Sequence, residues 1–192
     1  MIFKKFVVGP LFTNSYVFGD EQTKEVVLID PGADAKPIQG YLRSNGLKLI
    51  AVINTHGHGD HIGANGAFKT DVLIHEDDKD LLVNPALNLS TSFGAGITSP
   101  AAARTLKDND KIKVGKISLK VIHTPGHTRG GICLQNKDML FAGDTLFFEG
   151  VGRTDLPGAS WSDLLTSIKD KLFILPDECR VFPGHGPDTT IG

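Results

Sequence analysis

The chain is poor in cysteine, has no run of basic residues and lacks a long apolar stretch. Its two cysteines, Cys133 and Cys179, form no C-x-x-C pair, which argues against a thiolate zinc site and a disulfide-rich domain. A net charge of −2 without a Lys or Arg cluster offers no footprint for nucleic acid or an anionic membrane. The apolar run at the N-terminus is too short for a signal peptide. We therefore expect a cytoplasmic protein, a monomer or small homo-oligomer, whose partner is a small molecule.

The composition that remains is that of an ordinary globular protein, with 40% hydrophobic and 22% charged residues. A chain of 192 residues buries a sizeable core, and we predict a single domain over residues 1–192. Short β-branched and aromatic runs predict strands at residues 2–8, 15–18, 26–29, 49–53, 72–74, 117–122, 139–141 and 180–182. Apolar periodicity predicts helices at residues 35–44, 60–68, 76–83 and 160–171. This order predicts the α+β class, with two sheets packed face to face and helices outside.

Two further features concern segments between and within these elements. Residues 84–100 are rich in Asn, Ser, Thr and Gly, show no periodicity and are too long for a plain connector. Such a segment is expected to form a lid or a substrate wall, and a mobile surface loop is the alternative. On the last helix, Ser160 is the predicted N-cap, and Trp161 and Phe173 are predicted to face the core.

The segment most informative about chemistry is Thr-His-Gly-His-Gly-Asp-His at residues 55–61, directly after a predicted strand. It places four metal-ligand side chains, those of His56, His58, Asp60 and His61, within six positions. At a strand end His56 and His58 point to the same side, and the glycines between them let the chain bend into a helix. One loop is thus predicted to face two adjacent ions.

Further ligands are needed, because a catalytic zinc takes about three protein ligands. His127, Asp144 and His185 each follow a predicted strand and stand beside glycine. Because a carboxylate has two oxygens, Asp144 is the predicted bridge between two ions roughly 3.5 to 4 Å apart. His56, His58 and His127 would then bind the first ion, and Asp60, His61 and His185 the second. A hydroxide between the ions is the predicted nucleophile, and Asp60 and Asp144 are the predicted catalytic carboxylates.

Six segments of the sequence together resemble the metallo-β-lactamase superfamily, and within it the small glyoxalase II-like hydrolases. They are residues 28–32, 56–61, 123–128, 141–146, 150–155 and 182–186. The resemblance implies a four-layer αββα sandwich of two mixed sheets with outer helices, and the same seven metal ligands. It also implies that Arg153 contacts an anionic group of the substrate, with a salt bridge to Asp155 as the alternative. Asp30 is expected to orient a ligand imidazole or to cap the turn at Pro31.

The reaction that we predict is hydrolysis of a small acyl thioester. A thiol with a pKa of about 8.5 leaves without an added proton, which suits a site with no evident acid. The main alternative is a mononuclear iron persulfide dioxygenase, because residues 152–155 also resemble the corresponding stretch of those enzymes. That resemblance implies one iron with the ligands His56, His127 and Asp144. Lactonase or β-lactamase activity, a nuclease and a non-enzymatic metal-binding module are lesser alternatives. Zinc is the preferred metal, and iron and manganese are compatible with the same ligands.

Overall fold

The structure is a computed structural model that describes residues 1–192, apart from the side chain of Phe93. The first half of the chain contributes β1 (Ile2–Val8), β2 (Thr13–Gly19), β3 (Glu25–Ile29), β4 (Lys48–Ile53), β5 (Val72–His75) and β6 (Arg104–Leu106). The second half contributes β7 (Lys111–Val114), β8 (Ile117–His123), β9 (Ile132–Asn136), β10 (Met139–Gly143), β11 (Leu146–Phe147), β12 (Gly150–Val151), β13 (Arg180–Pro183) and β14 (Thr189–Thr190). The α-helices are α1 (Ala35–Ser44), α2 (Gly59–Ile62) and α3 (Trp161–Ser167).

The strands form two six-stranded sheets and one small hairpin. The first sheet has the order β1-β2-β3-β4-β5-β6, with antiparallel pairing up to β3 and parallel pairing from β3 onward. The second has the order β14-β13-β10-β9-β8-β7, in which the β10 and β13 pair is parallel and the other pairs are antiparallel. β11 and β12 pair separately. Both large sheets are therefore mixed, and the predicted α+β class is confirmed.

Side-chain alternation along the strands explains the layers. In β3, Val27 and Ile29 point into the core between the two sheets. Val26 and Leu28 point to the opposite face and pack on α1, which buries Ile38. Because successive side chains of a strand face opposite sides, a strand that is covered on both faces is apolar throughout. This is why β3 appears in the sequence as an unbroken Val-Val-Leu-Ile run.

The outer face of the second sheet is covered by α3 and the π-helical turn Ile168–Leu172 that continues it. Leu164, Ile168 and Leu172 are buried there. Ser160 caps the helix as predicted, its hydroxyl accepting a hydrogen bond from the Asp163 amide. The prediction that Trp161 and Phe173 face the core is wrong, since their side chains are 55% and 54% exposed. Trp161 lies in the first turn at the end of the buried face, and Phe173 follows the π turn, which shifts the helical phase.

Several other boundaries differ from those predicted. The helix expected at residues 60–68 is the single turn α2 followed by the 3-10 helix Asn65–Ala67, and the one at residues 76–83 is the 3-10 helix Glu76–Leu82. Six strands were not predicted: β6, β7, β9, β11, β12 and β14. Five of them have only two to four residues, too few for a period to show, and β9 ends in two polar residues. No helix in the described part of the chain has the length and apolar character that crossing a membrane requires.

The architecture brings the ends of several strands to one edge of the sandwich. Asp30 follows β3, and the loop carrying His56 follows β4, its parallel neighbour. In the second sheet Asp144 follows β10, and His185 follows β13, again a parallel pair. Parallel neighbours end at the same edge, so each sheet delivers its polar side chains to the same side of the molecule.

Candidate metal centre

The loop after β4 is held by hydrogen bonds that aim its side chains. The buried Asn54 side chain donates to the backbone carbonyl of His61 at 3.0 Å. His58 has an extended backbone and precedes α2, whose first turn carries Asp60 and His61. His56, His58 and His61 are all buried, and Asp60 is half-buried. The loop therefore presents all four predicted ligands to one place.

The seven predicted ligands converge, although they are drawn from both halves of the chain. Their donor atoms fall into three overlapping groups within which all atoms lie within 4.8 Å of one another: His56, His58 and His127; His56, His61 and Asp144; and Asp60, His61 and His185. His58 Nδ1 lies 3.0 Å from His127 Nε2. His61 Nε2 lies 3.3 Å from His185 Nε2. The first and third groups are the two sets assigned to separate ions from the sequence.

Asp144 lies between these two groups. Its Oδ2 atom is 3.5 Å from His127 Nε2 and 3.6 Å from His185 Nε2. Its Oδ1 atom is 3.5 Å from His61 Nε2. The single carboxylate thus faces a histidine of the first group and two histidines of the second, which is the position that a bridging ligand requires.

The donor set fits divalent cations. Buried donor atoms without a hydrogen-bond partner among the described residues include His56 Nε2 and Asp144 Oδ1. Such atoms are costly to bury unless something binds them. The backbone closes this side of the centre, because a Cβ atom at Gly184 would collide with Asp144 Oδ1 and lie 2.8 Å from His61 Cε1. Imidazole nitrogens and carboxylate oxygens are donors that zinc, iron and manganese all accept.

The protonation of the two groups differs. Burial lowers the pKa of His56 well below its usual range and lowers that of His58 to about 3. Burial also acts to lower the pKa of His61, but the Asp60 and Asp144 carboxylates outweigh it and raise that pKa to about 10. At neutral pH, His56 and His58 are therefore neutral, with a lone pair to donate, and His61 is protonated.

The outer nitrogens of the histidines are held by backbone oxygens. His127 Nδ1 donates to the Arg153 carbonyl at 2.8 Å, and His185 Nδ1 donates to the Leu11 carbonyl at 3.0 Å. Because a carbonyl only accepts, these contacts fix the tautomer that leaves Nε2 free to face the centre. This partner of His127 was not predicted, since residue 153 was singled out for its side chain.

Asp30 lies next to the centre, in contact with one of the predicted ligands. It is buried and has a left-handed backbone with φ of 49°. Its carboxylate accepts hydrogen bonds from the Thr55 amide at 2.7 Å and the Thr55 hydroxyl at 2.6 Å. Its Oδ2 atom also lies 3.1 Å from His61 Nδ1. These contacts tie the end of β3 to the loop after β4 and place a negative charge behind the His61 ring.

Asp78 was not identified from the sequence, yet it connects the two loops that carry the first donor group. It is buried on the 3-10 helix Glu76–Leu82. Its carboxylate accepts hydrogen bonds from the Gly57 amide at 3.0 Å, the Thr128 hydroxyl at 2.7 Å and the Gly130 amide at 2.7 Å. Gly57 adjoins His56 and His58, and Thr128 adjoins His127. In the sequence Asp78 stands among other acidic residues of a predicted helix. Such a cluster is typical of a solvent-exposed helix face, so it gives no indication that Asp78 is buried.

Arg153 lies at the rim of the centre and is exposed. Its guanidinium makes two hydrogen bonds to Asp155, at 2.9 and 2.8 Å, so the salt bridge considered as an alternative is present. Arg153 also lines a cavity beside the donor groups, and so do His58, Asp60 and Asp144.

His75 and His123 lie outside the seven-ligand set. Their rings stack in parallel, with centroids 4.0 Å apart and an interplanar angle of 12°. His123 Nε2 donates to the Arg129 carbonyl at 2.9 Å. With Asp77 they form a further group of donor atoms within 4.8 Å of one another. Burial lowers the pKa of His75, with His123 adding to the effect.

Two curated relatives cover most of the chain. A protein of Bacillus subtilis named probable metallo-hydrolase YqgX is 34% identical over 199 residues, which span 100% of this chain and 93% of that protein. The human mitochondrial persulfide dioxygenase ETHE1 is 34% identical over 176 residues, which span 90% of this chain and 63% of that protein. The chain is thus similar both to a protein named as a hydrolase and to one named as an oxygenase.

Solved structures show the same architecture. BLEG-1, described as a B3 metallo-beta-lactamase, superposes with a TM-score of 0.94 at 39% identity, covering 99% of this chain and 94% of that one. TTHA1623, solved in a di-iron-bound form, superposes with a TM-score of 0.87 at 35% identity, covering 98% and 94%. The family described as the metallo-beta-lactamase superfamily matches residues 8–185. The predicted sandwich and the resemblance to the superfamily are therefore confirmed, and the chain belongs to the metallo-beta-lactamase superfamily.

Proposed function

We propose that the chain is a dinuclear metal-dependent hydrolase that cleaves small acyl thioesters. The observation that carries the proposal is the position of Asp144, between one donor group of three histidines and a second of Asp60, His61 and His185. The proposed ligands of the first ion are His56, His58 and His127, and Asp144 is the proposed bridge. When bound, two such ions would lower the pKa of a bound water to about 7 and polarise an acyl carbonyl.

The side chains around the centre supply positioning rather than a nucleophile of their own. The nearby thiol, Cys133, is buried, and burial raises its pKa to about 11, which leaves it unreactive at neutral pH. His127 and His185 are fixed by backbone carbonyls and are not free to turn toward a substrate. Asp60 and Asp144 hold negative charge beside the imidazoles, so they favour cation binding and keep the reacting water in place. They are the proposed catalytic carboxylates.

The substrate class follows from the leaving group. Among the described residues that line the cavity, the titratable ones are His58, Asp60, His127, Asp144 and Arg153. The first four are proposed metal ligands, and Arg153 is paired with Asp155. No lining group is left to protonate a departing amine. A thiolate needs no such proton, which favours a thioester over an amide.

The test is turnover with defined substrates after loading with zinc. Thiol release from acyl-coenzyme A esters and from S-lactoylglutathione would be followed with a chromogenic thiol reagent. Asp144→Ala is expected to lose one or both metal equivalents and at least 100-fold of the turnover. Asp138→Ala is the matched control, because Asp138 is exposed at the opposite end of β10. Absence of turnover across the whole panel in the zinc, iron and manganese forms would refute the proposal.

A second candidate is a persulfide dioxygenase, favoured by the 34% identity to the human enzyme of that name. Its iron ligands here would be His56, His127 and Asp144, two imidazoles and one carboxylate with open positions for oxygen and substrate. Elemental analysis of protein purified without added metal, combined with oxygen uptake on glutathione persulfide, separates the two. One iron per chain with oxygen uptake would favour the dioxygenase, and two metal equivalents with thioester cleavage would favour the hydrolase.

A further inference from the structure

A cavity of about 500 Å³ opens directly beside the donor groups, and its wall is largely apolar. The apolar side chains come from the end of β1 and the turn after it, the loop after β3, residues 84–100 and the segment after β12. The main ones are Val8, Leu11, Ala33, Leu89, Ile97 and Leu156. A cavity of this size is typical of sites for small organic ligands. Its surface is suited to a hydrocarbon group rather than to a strongly hydrated one.

The few charged residues in the cavity wall also indicate which part of a substrate the cavity can hold. Apart from the proposed metal ligands, Arg153 is the one charged residue among the described residues of the wall. Its guanidinium is exposed and is paired with Asp155 through two hydrogen bonds. Glutathione brings two carboxylates and the phosphates of coenzyme A bring more charge, and this wall offers neither of them a free cation. The described wall is therefore better suited to an uncharged part of a substrate.

The wall formed by residues 84–100 is built onto the metal-facing loop. The buried Asn88 accepts a hydrogen bond through its carbonyl from the Gly59 amide at 2.9 Å. Its side-chain amide donates to the carbonyls of Leu81 and Ile97 at 3.0 and 2.9 Å. Gly59 adjoins both His58 and Asp60. Residues 84–100 are thus hydrogen-bonded to the loop that carries His58 and Asp60, and they form one wall of the cavity beside it.

Leu89 is presented to the cavity by a strained backbone. Its φ is 64°, a left-handed conformation that a branched residue such as leucine adopts at a cost. The conformation is held by the neighbouring Ser90 amide, which donates to the Asn88 side chain at 3.0 Å, and by the Ser92 amide, which donates to the Leu89 carbonyl at 3.0 Å. An apolar side chain in such a backbone at a ligand cavity points to a function in binding.

We propose that the cavity binds the apolar acyl chain of the substrate, so that the natural thioesters carry a hydrocarbon acyl group of several carbons. This inference rests on the proposed thioester hydrolysis. The carbonyl carbon would lie at the donor groups, the acyl chain would extend along Leu89, Ile97 and Leu156, and the thiol portion would leave toward solvent. Small hydrophilic acyl groups such as lactoyl would leave the apolar wall uncovered.

The test uses N-acetylcysteamine thioesters of straight-chain acids from acetyl to octanoyl, which share one small, neutral thiol. Burial of each added methylene is expected to raise kcat/KM about threefold to fourfold until the cavity is full. S-lactoylglutathione is expected to be slower than the hexanoyl ester. A parallel series with a fixed acetyl group and alkyl thiols of increasing length examines the other end of the substrate. A flat acyl series, a faster S-lactoylglutathione, or a length dependence that lies in the thiol instead would each overturn the proposal.

Variants identify the surface that is responsible. Leu156→Asn, a size-matched polar change in the wall, is expected to reduce the ratio of octanoyl to acetyl kcat/KM at least fivefold. Leu87→Asn is the control, because Leu87 lies in the same loop as Leu89 but is 51% exposed and outside the cavity. It is expected to keep the wild-type ratio. Equal ratios for both variants and the wild type would contradict the assignment of the wall.

Failure of this inference is distinguishable from failure of the proposed hydrolysis. Methyl ketones of increasing length, in which carbon replaces the thioester sulfur, bind without being cleaved, and calorimetry measures their affinity. If no thioester is cleaved but ketone affinity rises threefold to fourfold per methylene, the hydrolase proposal fails and the apolar cavity stands. If thioesters are cleaved but neither series depends on acyl length, the cavity proposal fails and the hydrolase stands.

Discussion

Replacing Asp78 by alanine tests whether one buried carboxylate holds the first donor group together. The change removes the acceptor of three hydrogen bonds and leaves the amides of Gly57 and Gly130 buried without a partner. Each orphaned buried donor costs about 1 to 3 kcal/mol, and the Thr128 hydroxyl also loses its acceptor. We expect the free energy of unfolding to fall by about 3 to 5 kcal/mol.

The effect on metal affinity follows from the same contacts. Gly57 separates His56 from His58, and Thr128 follows His127, so all three proposed ligands of the first ion depend on the position of this carboxylate. A loss of about 10-fold to 100-fold in affinity for the first zinc equivalent is expected. Urea unfolding of metal-free protein measures the stability, and competition with a chromophoric chelator measures the affinity.

Two companion variants keep the test decisive. Asp78→Asn retains one acceptor oxygen and is expected to fold, with about 1 to 2 kcal/mol lost and an intermediate affinity. Asp80→Ala removes an exposed carboxylate from the same 3-10 helix and is expected to change stability by less than about 0.5 kcal/mol. If folded Asp78→Asn and Asp78→Ala bound the first equivalent as tightly as the wild type, the reasoning that joins Asp78 to the donor group would be refuted.

Three further predictions concern metal loading and packing. Because the pKa of His61 is raised to about 10 while that of His58 is lowered to about 3, a cation must displace a proton from His61 of the second group but none from His58 of the first. Dialysis at fixed free zinc is expected to give two equivalents at pH 8.5 and to lose the second one first as pH falls, and equal loss of both would contradict this. Gly184→Ala is expected to reduce metal content by at least one equivalent in elemental analysis, since its Cβ would enter the space of Asp144 Oδ1; full loading would show that the backbone shifts at little cost. Cys133 is expected to resist a thiol reagent in native protein and to react on unfolding, because burial raises its pKa to about 11; fast native labelling would mean that the core opens readily.

The features that were predictable from the sequence depend on local patterns. β1 and α1 have the predicted bounds, because Gly9 and Pro10 end the β-branched and aromatic run of β1 and the apolar residues Ile38 and Leu42 of α1 have helical spacing. The donors His56, His58, Asp60 and His61 are close in the chain, so their spacing alone brings them near one another. The three distant ligands were predictable because each follows a strand and stands beside glycine, and parallel strands end at a shared edge.

What was missed depends on contacts between segments that are far apart in the chain. Asp78 accepts a hydrogen bond from Gly130, which is 52 positions away in the chain. The residues around Asp78 in the sequence do not indicate that partner. Asn88 is joined to Gly59 in the same way. The backbone carbonyl of Arg153 fixes the His127 tautomer, and a carbonyl is common to every residue. Such roles are set by the packing of the two sheets and not by residue type.

The donor set is divided between the two sheets, and this has a consequence for how the protein acquires its ions. The loop after β4 belongs to the first sheet, whereas Asp144 and His185 follow strands of the second. Neither half of the sandwich contains a complete coordination shell. Folding must bring residues 56 and 185 together before two ions bridged by Asp144 can bind. Ion binding is therefore expected to follow folding, whereas in a zinc finger the ion nucleates folding.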